Sequence, residues 1–546
     1  MTDTQAPQLR PRLRKLAADT RAGKVDRREF IALASTFGAS AAAAYGLLGR
    51  TQPAMAQDGD GKKGGVLRVA MRVLEITDPR KYDWAEKGNL ARQFCEPLVR
   101  WNADYSFTGL LLDSWDVSDD AQSYTLNLRR GVTWNNGDEF TAEDVIHNIT
   151  RWCDMSVEGN SMAGRMASLI DAESGQLADG VIEQVDDHTV KLHLPRPDIS
   201  LIASMSDYPA LIVHRSHGDD ADLAHSPIGT GPFELVSMDI GTGAEVKRRE
   251  NGEWWGGEAY LDGVRFIDFG TDEAAIVAAF ESGKIDVNDE TTPELIDALD
   301  DLGLVKSTMP TANTIVARMR MDTEPYSSKQ LRNAVQMAVD NKIALQLGIN
   351  GDGITAENHH VAPFHPEYAA LPRKAPDPAA AIALARSAGH GETELELISI
   401  EGDWRTATTD AIGAMLREAG FNIKRTVIPG SSFWNDWTKF PFSTTNWGPR
   451  PLGVQVLALA YKSGAAWNES GHSDPEFDAL LEQAVGVFDA DERREYSAKL
   501  QARLQENGVI IQPFWRNRTK HFAPHVKNDQ VHQSGFMHFE NVWLDT

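Results

Sequence analysis

Apolar residues fall on every second position in several short stretches of this chain. In "YTLNLRR" they are Tyr124, Leu126 and Leu128; in "HTVKLHL" they are Val190, Leu192 and Leu194. A spacing of two places them on one face of an extended chain, which predicts strands with one buried side. "GVLRVAM" (65–71), "VRFIDF" and "LELISI" read as strands too. Elsewhere the spacing lengthens to three and four. Behind Thr141, "TAEDVIHNITRW" sets Val145, Ile149 and Trp152 on one stripe with acids in the first turn, the mark of a capped amphipathic helix. "SKQLRNAVQMAVD" puts Leu331, Val335 and Val339 four apart. "DEAAIVAAFESG" runs from Asp272 to a stop at Gly283. Asp377-Pro378 and Asp474-Pro475 each pair a good cap with a proline suited to the first helical position. Two further helices end at Gly420 and Gly508, and "NLARQFCEPLV" predicts a short one. Strands alternating with helices make the class α/β. No repeat of 20–50 residues is present.

The 546 residues exceed what one compact core holds, so two or three domains are expected. The formal net charge is −25, and residues 1–56 are themselves rich in Lys and Arg, so the remainder is more acidic still. Such a surface excludes nucleic acid or anionic lipid as a natural partner.

The N-terminus reads as a targeting segment. Arg27-Arg28 precede Glu29-Phe30-Ile31, then an Ala/Gly-rich, mildly apolar run to Leu48, then Ala54-Met55-Ala56 as a small-x-small cleavage site. "DRREFIALAS" resembles a twin-arginine signal, which implies export of a folded chain by that machinery. Residues 1–56 are therefore expected to be a signal peptide, with Arg27, Arg28 and Ala56 as its working residues, and 57–64 a flexible tether. No Cys follows the cleavage site, so a soluble periplasmic protein without a lipid anchor is expected. Cys95 and Cys153 both fall in predicted helical stretches and are expected to be separate buried thiols.

Six stretches then occur in an order that resembles one family. "FCEPLVRWNAD", "YTLNLRRGVTWNNGDEFTAEDVIHNITR", "PIGTGPFELV" (227–236), "AAFESGKIDV", "LRNAVQMAVDNK" and "GHSDPEFDALL" are similar to landmarks of the periplasmic solute-binding proteins of ABC importers, family 5, the dipeptide/oligopeptide/nickel-binding type. The resemblance covers nearly all of residues 65–546. It implies a two-lobed periplasmic binding protein fold (type II, cluster C-like) with a hinged ligand cleft and an extra subdomain in the first lobe. Lobe I is expected at 65–310 plus 513–546, with the subdomain at 98–226, and lobe II at 311–512. The crossing segments are expected near "MPTANTIV" and "IIQPFWRN". The implied activity is capture of a small solute for an inner-membrane ABC permease and its ATPases, by a protein that is a monomer and not an enzyme.

The residues agree with scaffold more than chemistry. "GTG" at 229–231 lacks G-x-x-x-x-G-K-[ST] and no helix follows it, so it reads as a tight turn and not a phosphate loop. Asp138, Glu139, Glu143 and Asp144 read as turn and helix-start residues. An exported hydrolase is the catalytic alternative, but neither G-x-S-x-G nor H-E-x-x-H occurs. Delivery of the solute to a sensor is a third reading.

A cleft for a polar solute needs aromatic walls and a few placed charges. The chain has 14 tryptophans, several in expected loops. Trp84, Trp404, Trp434, Trp447 and Trp467, with Asn468, are the candidate ligand contacts. The seventh candidate is a cation. Arg450 lies between Pro449 and Pro451, where peptide-binding relatives carry an aspartate for the ligand's α-ammonium. An arginine there suits a carboxylate, phosphate or several hydroxyls. Either it faces the solute or it pairs with a carboxylate of its own lobe. A peptide-like, anionic or oxygen-rich solute is the leading expectation; an oligosaccharide or an opine-like conjugate is the alternative. His359, His360 and His365 match no standard metal spacing and are interrupted by prolines. They are expected to form a polar loop at the cleft edge, with no metal or cofactor.

Overall fold

The computed structural model describes residues 11–50, 61–218, 221–250, 254–270, 272–372 and 374–546. Its centre is a pair of long antiparallel strands, Val305–Met319 and Phe514–Phe522. They pair in register from Val305↔Phe522 to Pro310↔Asn517, slip, and resume at Asn313↔Arg516. Pro310 has no amide hydrogen to give a ladder, and a bulge is where a sheet tolerates that. Before the slip Val305–Pro310 is partly exposed; beyond it every residue from Thr311 to Met319 is buried. The expected crossing segment "MPTANTIV" lies on the first of these strands, and the last four residues of "IIQPFWRN" open the second.

The rest of a twelve-stranded sheet extends from this ribbon in both directions. On one side Val66–Ala70 lies parallel to Gly263–Ile267 and Val287–Asn288, and the hairpin Phe233–Asp239/Gly243–Arg248 forms the edge. Its core includes Leu67, Val69, Val264 and Phe266. On the other side Phe442–Trp447 pairs with the crossing strand, and parallel Glu394–Ile400 and Asn422–Ile428 follow. Helix Asp403–Glu418 joins those two strands and packs on both. Here the core includes Met319, Leu331, Leu397 and Ile412. A satellite sheet of four antiparallel strands, Leu112–Val117, Ser123–Leu128, Thr189–His193 and Ile182–Asp186, packs with helix Ala142–Trp152. The alternating apolar residues Tyr124, Leu126, Val190 and Leu192 are its buried face.

Local chemistry sets the element ends. Asp144 closes the helix start at Thr141, its carboxylate accepting the Thr141 amide at 3.0 Å. Asp272, Ser328, Asp377 and Asp474 each accept from an amide in the first turn of their helices. The helix expected in "NLARQFCEPLV" instead spans Ala85–Ala91. It stops because the backbone of Gln93 and Phe94 is taken by the "GTGPF" turn: Gly231 donates to Phe94 and Phe233 to Gln93. Gly229 is needed here for close approach, since a Cβ would stand 1.8 Å from the Phe94 carbonyl oxygen. Asn135 exchanges hydrogen bonds with the Gly229 backbone, so two of the recognised stretches lock to each other. Cys95 and Cys153 are both buried and unbonded to one another, but neither is helical: Cys95 is in the turn after Ala91, and Cys153 caps its helix.

Residues 11–50 are three helices, Pro11–Arg21, Arg27–Thr36 and Ala41–Leu47, packed on the body. Ala56 lies outside the described residues, as do residues 57–60 of the expected tether. Residues 61–64 are not free: Lys62 and Lys63 pair with Asp545 and Glu258, and the Gly64 amide donates to Tyr260.

Candidate ligand-binding cleft

A cavity of about 400 Å³ opens between the two halves of the large sheet. The crossing strands supply Asn313, Arg516 and Arg518 to it. "FWRNRTK" places the two arginines two residues apart, hence on one face of the strand. Trp84, Tyr208, Asp289 and Glu290 come from the first half. Trp404, Arg405, Trp434, Trp437, Trp447, Arg450 and Trp467 come from the second.

The aromatic wall is continuous. Trp437 is its centre, with ring centroids 6.3 Å from Trp434, 6.2 Å from Trp447 and 6.3 Å from Trp467, and Trp447 and Trp467 lie 5.9 Å apart. Trp84 reaches across the cleft to meet Trp434 edge-on at 4.3 Å. Edge-to-face rings of this kind leave several π-faces available to a flat or sugar-like group. Trp447 is held by Glu469, whose Oε1 accepts its indole N–H at 2.7 Å; Glu469 Oε2 accepts Arg318 Nε at 3.0 Å and the Thr445 hydroxyl at 2.5 Å. Burial lowers the Arg318 pKa, against the opposing pull of Glu469.

The charges of the cleft are paired among themselves. Arg518 contacts Asp289 at 3.0 Å and Glu290 at 2.7 Å; Arg516 also pairs with Glu290 and stacks 4.3 Å from the Trp404 ring. Burial pushes the Asp289 carboxyl up to about 7, against Arg518. Burial acts the same way on Glu290, but Arg516 and Arg518 outweigh it and hold its pKa below the ordinary value. Arg405 forks onto Asp403 and reaches Asn446 at 3.4 Å. The Nε atoms of Arg516 and Arg518 and Oδ1 of Asn313 are buried without a hydrogen-bond partner.

Arg450 takes a course between the two expected ones. It borders the cavity, yet its Nε lies 3.1 Å from Oδ2 of Asp207, which belongs to the 98–226 segment and not to 311–512. Arg165 clasps the same carboxylate through Nε at 2.8 Å and Nη2 at 2.7 Å. Burial would raise the Asp207 pKa; Arg450 and Arg165 together overcome it and lower it. Tyr208 and Trp467 flank the Arg450 guanidinium at 5.5 and 6.0 Å. A second cavity, of about 380 Å³, lies on its other side.

Of the other expected site residues, Trp84, Trp404, Trp434, Trp447 and Trp467 all border the cleft. Trp404 is in the first turn of helix Asp403–Glu418, not in a loop, because Gly402 and Asp403 turn the chain at φ 80° and 47°. Asn468 is not among the residues lining this cavity; its amide donates to the Lys462 and His472 carbonyls and braces its own loop. The three histidines have separate partners, His359 on Glu357, His360 on the Tyr461 hydroxyl and His365 on the Arg450 carbonyl. Among the described residues no three His, Cys, Asp or Glu converge as metal ligands.

Comparison with known proteins decides the family. Residues 106–469, well over half the chain, match the model of the bacterial extracellular solute-binding proteins, family 5 Middle. The chain belongs to that family. It is similar to heme-binding protein A of Haemophilus influenzae, 24% identical over 476 residues, which cover 80% of this chain and 84% of that one. Among solved structures it resembles the oligopeptide-binding protein AppA of Bacillus subtilis in complex with a nonapeptide, with TM-score 0.77 and 17% identity over 89% of this chain and 100% of that one. It also resembles AgaA of A. tumefaciens R10 in complex with agropinic acid, with TM-score 0.78 and 20% identity over 88% and 99%. As a family 5 solute-binding protein the chain has the two-lobed fold and is a transport receptor of an ABC importer, not an enzyme. Its partners are a small solute and the importer's permease, and its family works outside the cytoplasm. No described helix is long and apolar enough to cross a membrane.

Proposed function

We propose that this receptor captures a carboxylate-bearing, oxygen-rich, peptide-like solute in the cleft between its lobes. The observation that carries the reading is the cleft floor, where buried Arg516 and Arg518 keep unpartnered Nε donors beside Asp289 and Glu290, under the Trp437-centred wall. Guanidinium groups recognise a carboxylate, and the neighbouring acids accept an ammonium or hydroxyls. The cavity volume is at the lower end of the range of about 300–1,000 Å³ usual for small-molecule sites. An opine-like conjugate of a sugar and an amino acid is the second reading, favoured by the continuous tryptophan wall, on which sugar rings stack. Mass spectrometry of small molecules released on denaturing the purified protein, followed by a thermal-shift screen of the compounds found, tests both. Release of carboxylated, nitrogen-containing solutes supports the proposal; exclusive recovery of apolar compounds or uncharged sugars overturns it.

The lobes are taken as 65–310 with 513–546, and 311–512, the 98–226 subdomain belonging to the first; the position of the bulged crossing strands supports this division. Arg27-Arg28 is read as the recognition element of a twin-arginine signal and Ala56 as the residue before the cut, giving a soluble, monomeric periplasmic receptor. Sequencing the N-terminus of the exported protein tests the cut.

A further inference from the structure

The helices of the N-terminal segment bury what an export leader would otherwise leave exposed. Leu16, Phe30, Ile31 and Leu33 join one apolar cluster with Trp115 of the satellite sheet and Leu500 of helix Ala490–Glu506. Their polar contacts go to two separate parts of the molecule. On the satellite module, Ser35 Oγ accepts the Phe107 amide and the Thr36 carbonyl accepts the Trp115 indole N–H, both at 2.9 Å. On the second half, Lys15 meets Asp489 at 2.6 Å, Glu29 pairs with Arg494 and lies 3.6 Å from Arg493, and Phe37 meets the Phe488 ring at 4.5 Å. Arg28 and Ile31, with Tyr105, also border Met309 and Pro310 at the bulge of the crossing strand. Arg27 and Arg28 themselves remain exposed.

We propose that residues 11–48 are an intramolecular strap that ties the satellite module to residues 488–494 and restrains the hinge as long as the segment is attached. The occupant of this face is the chain's own leader, and its contacts are of the kind that separate domains lose when they move apart: single hydrogen bonds to the satellite module, and ion pairs and one ring contact to residues 488–494. The precursor is thereby kept from opening and closing on solute before it leaves the cytoplasm, with Arg27-Arg28 displayed on a folded platform. The restraint rests on the lobe division given above; docking of the segment does not.

Hydrogen–deuterium exchange on this chain tests docking. Amides of 30–36 are expected to exchange at least 100-fold more slowly than in Phe30→Asp/Leu33→Asp, whose body strands, such as Ser123–Leu128, keep their protection. Equal, unprotected exchange in both proteins overturns the proposal. A Phe37→Cys/Phe488→Cys pair gives a second reading that needs no destabilising charge: mild oxidation is expected to cross-link it, and labelling of both thiols without cross-linking overturns docking. The restraint is read by small-angle scattering of this chain and of Phe30→Asp/Leu33→Asp without added solute. A broader distance distribution in the variant is expected; identical profiles, with docking established by the cross-link, overturn the restraint and leave the ligand reading untouched.

Discussion

Asp207 offers the sharpest test of the cleft's electrostatics. Asp207, Arg165 and Arg450 are each 6% exposed or less, and the one carboxylate answers both guanidinium groups. Asp207→Asn preserves the shape but leaves two buried cations facing each other. Removing one partner of a buried pair costs about 3–5 kcal/mol, because the remaining charge is uncompensated. Arg450→Met is different. Arg165 keeps both of its contacts with Asp207, so no buried charge is left uncompensated and the loss is smaller. Asp207→Asn should therefore be the more destabilising of the two. Equilibrium urea unfolding followed by tryptophan fluorescence and far-UV circular dichroism measures this; noncoincident curves would be fitted as separate lobe transitions. The lowered Asp207 pKa adds a pH signature. Stabilisation from a carboxylate whose folded pKa is below its unfolded value of about 3.9 is present above that value and is lost as pH falls through the folded one. If Asp207→Asn is as stable as Arg450→Met at pH 7, the triad is not the electrostatic joint described.

Three further outcomes are expected. Gly229→Ala drives a methyl into the Phe94 carbonyl and should lower stability by about 3 kcal/mol or more, seen as a fall in melting temperature and soluble yield. Asp289 has a folded pKa raised to about 7, so its contribution favours the folded state in acid and declines as pH rises from about 4 to 7; Asp289→Asn should flatten the unfolding midpoint over that window. Glu469→Gln removes the charge that compensates buried Arg318, with an expected loss of about 3 kcal/mol and a red shift of tryptophan emission as Trp447 loses its anchor, both readable in one fluorescence titration.

Much of the scaffold was legible because it is written in local terms. Period-two stretches became the satellite strands, and Asp-Pro and Ser/Thr caps fixed helix starts to within a residue or two. The cleft was legible only where a residue type is itself unusual, as with the tryptophans. Trp437 stood in the same "SSFWNDW" stretch as Trp434 and was passed over, although it is the centre of the wall. Arg516 and Arg518 were marked by alternation in "FWRNRTK", a cue that says which face they share but not what that face borders. The partnership of Arg450 with Asp207 joins residues far apart in the chain, and no local pattern encodes it. Asn468 stands apart from the cavity because its amide is taken by its own loop carbonyls, which a neighbouring tryptophan in the sequence does not reveal. The need for glycine at 229 was visible, but its cause, a neighbouring backbone, came only from tertiary packing.

The bulge between Pro310 and Asn313 has a consequence for how affinity can change. On the lobe division proposed above, the lobes are joined through a ladder that stays hydrogen-bonded on both sides of the slip, and relative motion is expected to concentrate as twist at the slip. The stiffness of that ribbon then sets how much of the solute's interaction energy is absorbed by bending. A substitution at Thr311 or Ala312, which do not line the cavity themselves, is expected to shift the dissociation constants of all solutes by one common factor and leave their ranking intact. Selectivity and avidity are thus separately adjustable in this receptor, the first by the walls and the second by the spring between them.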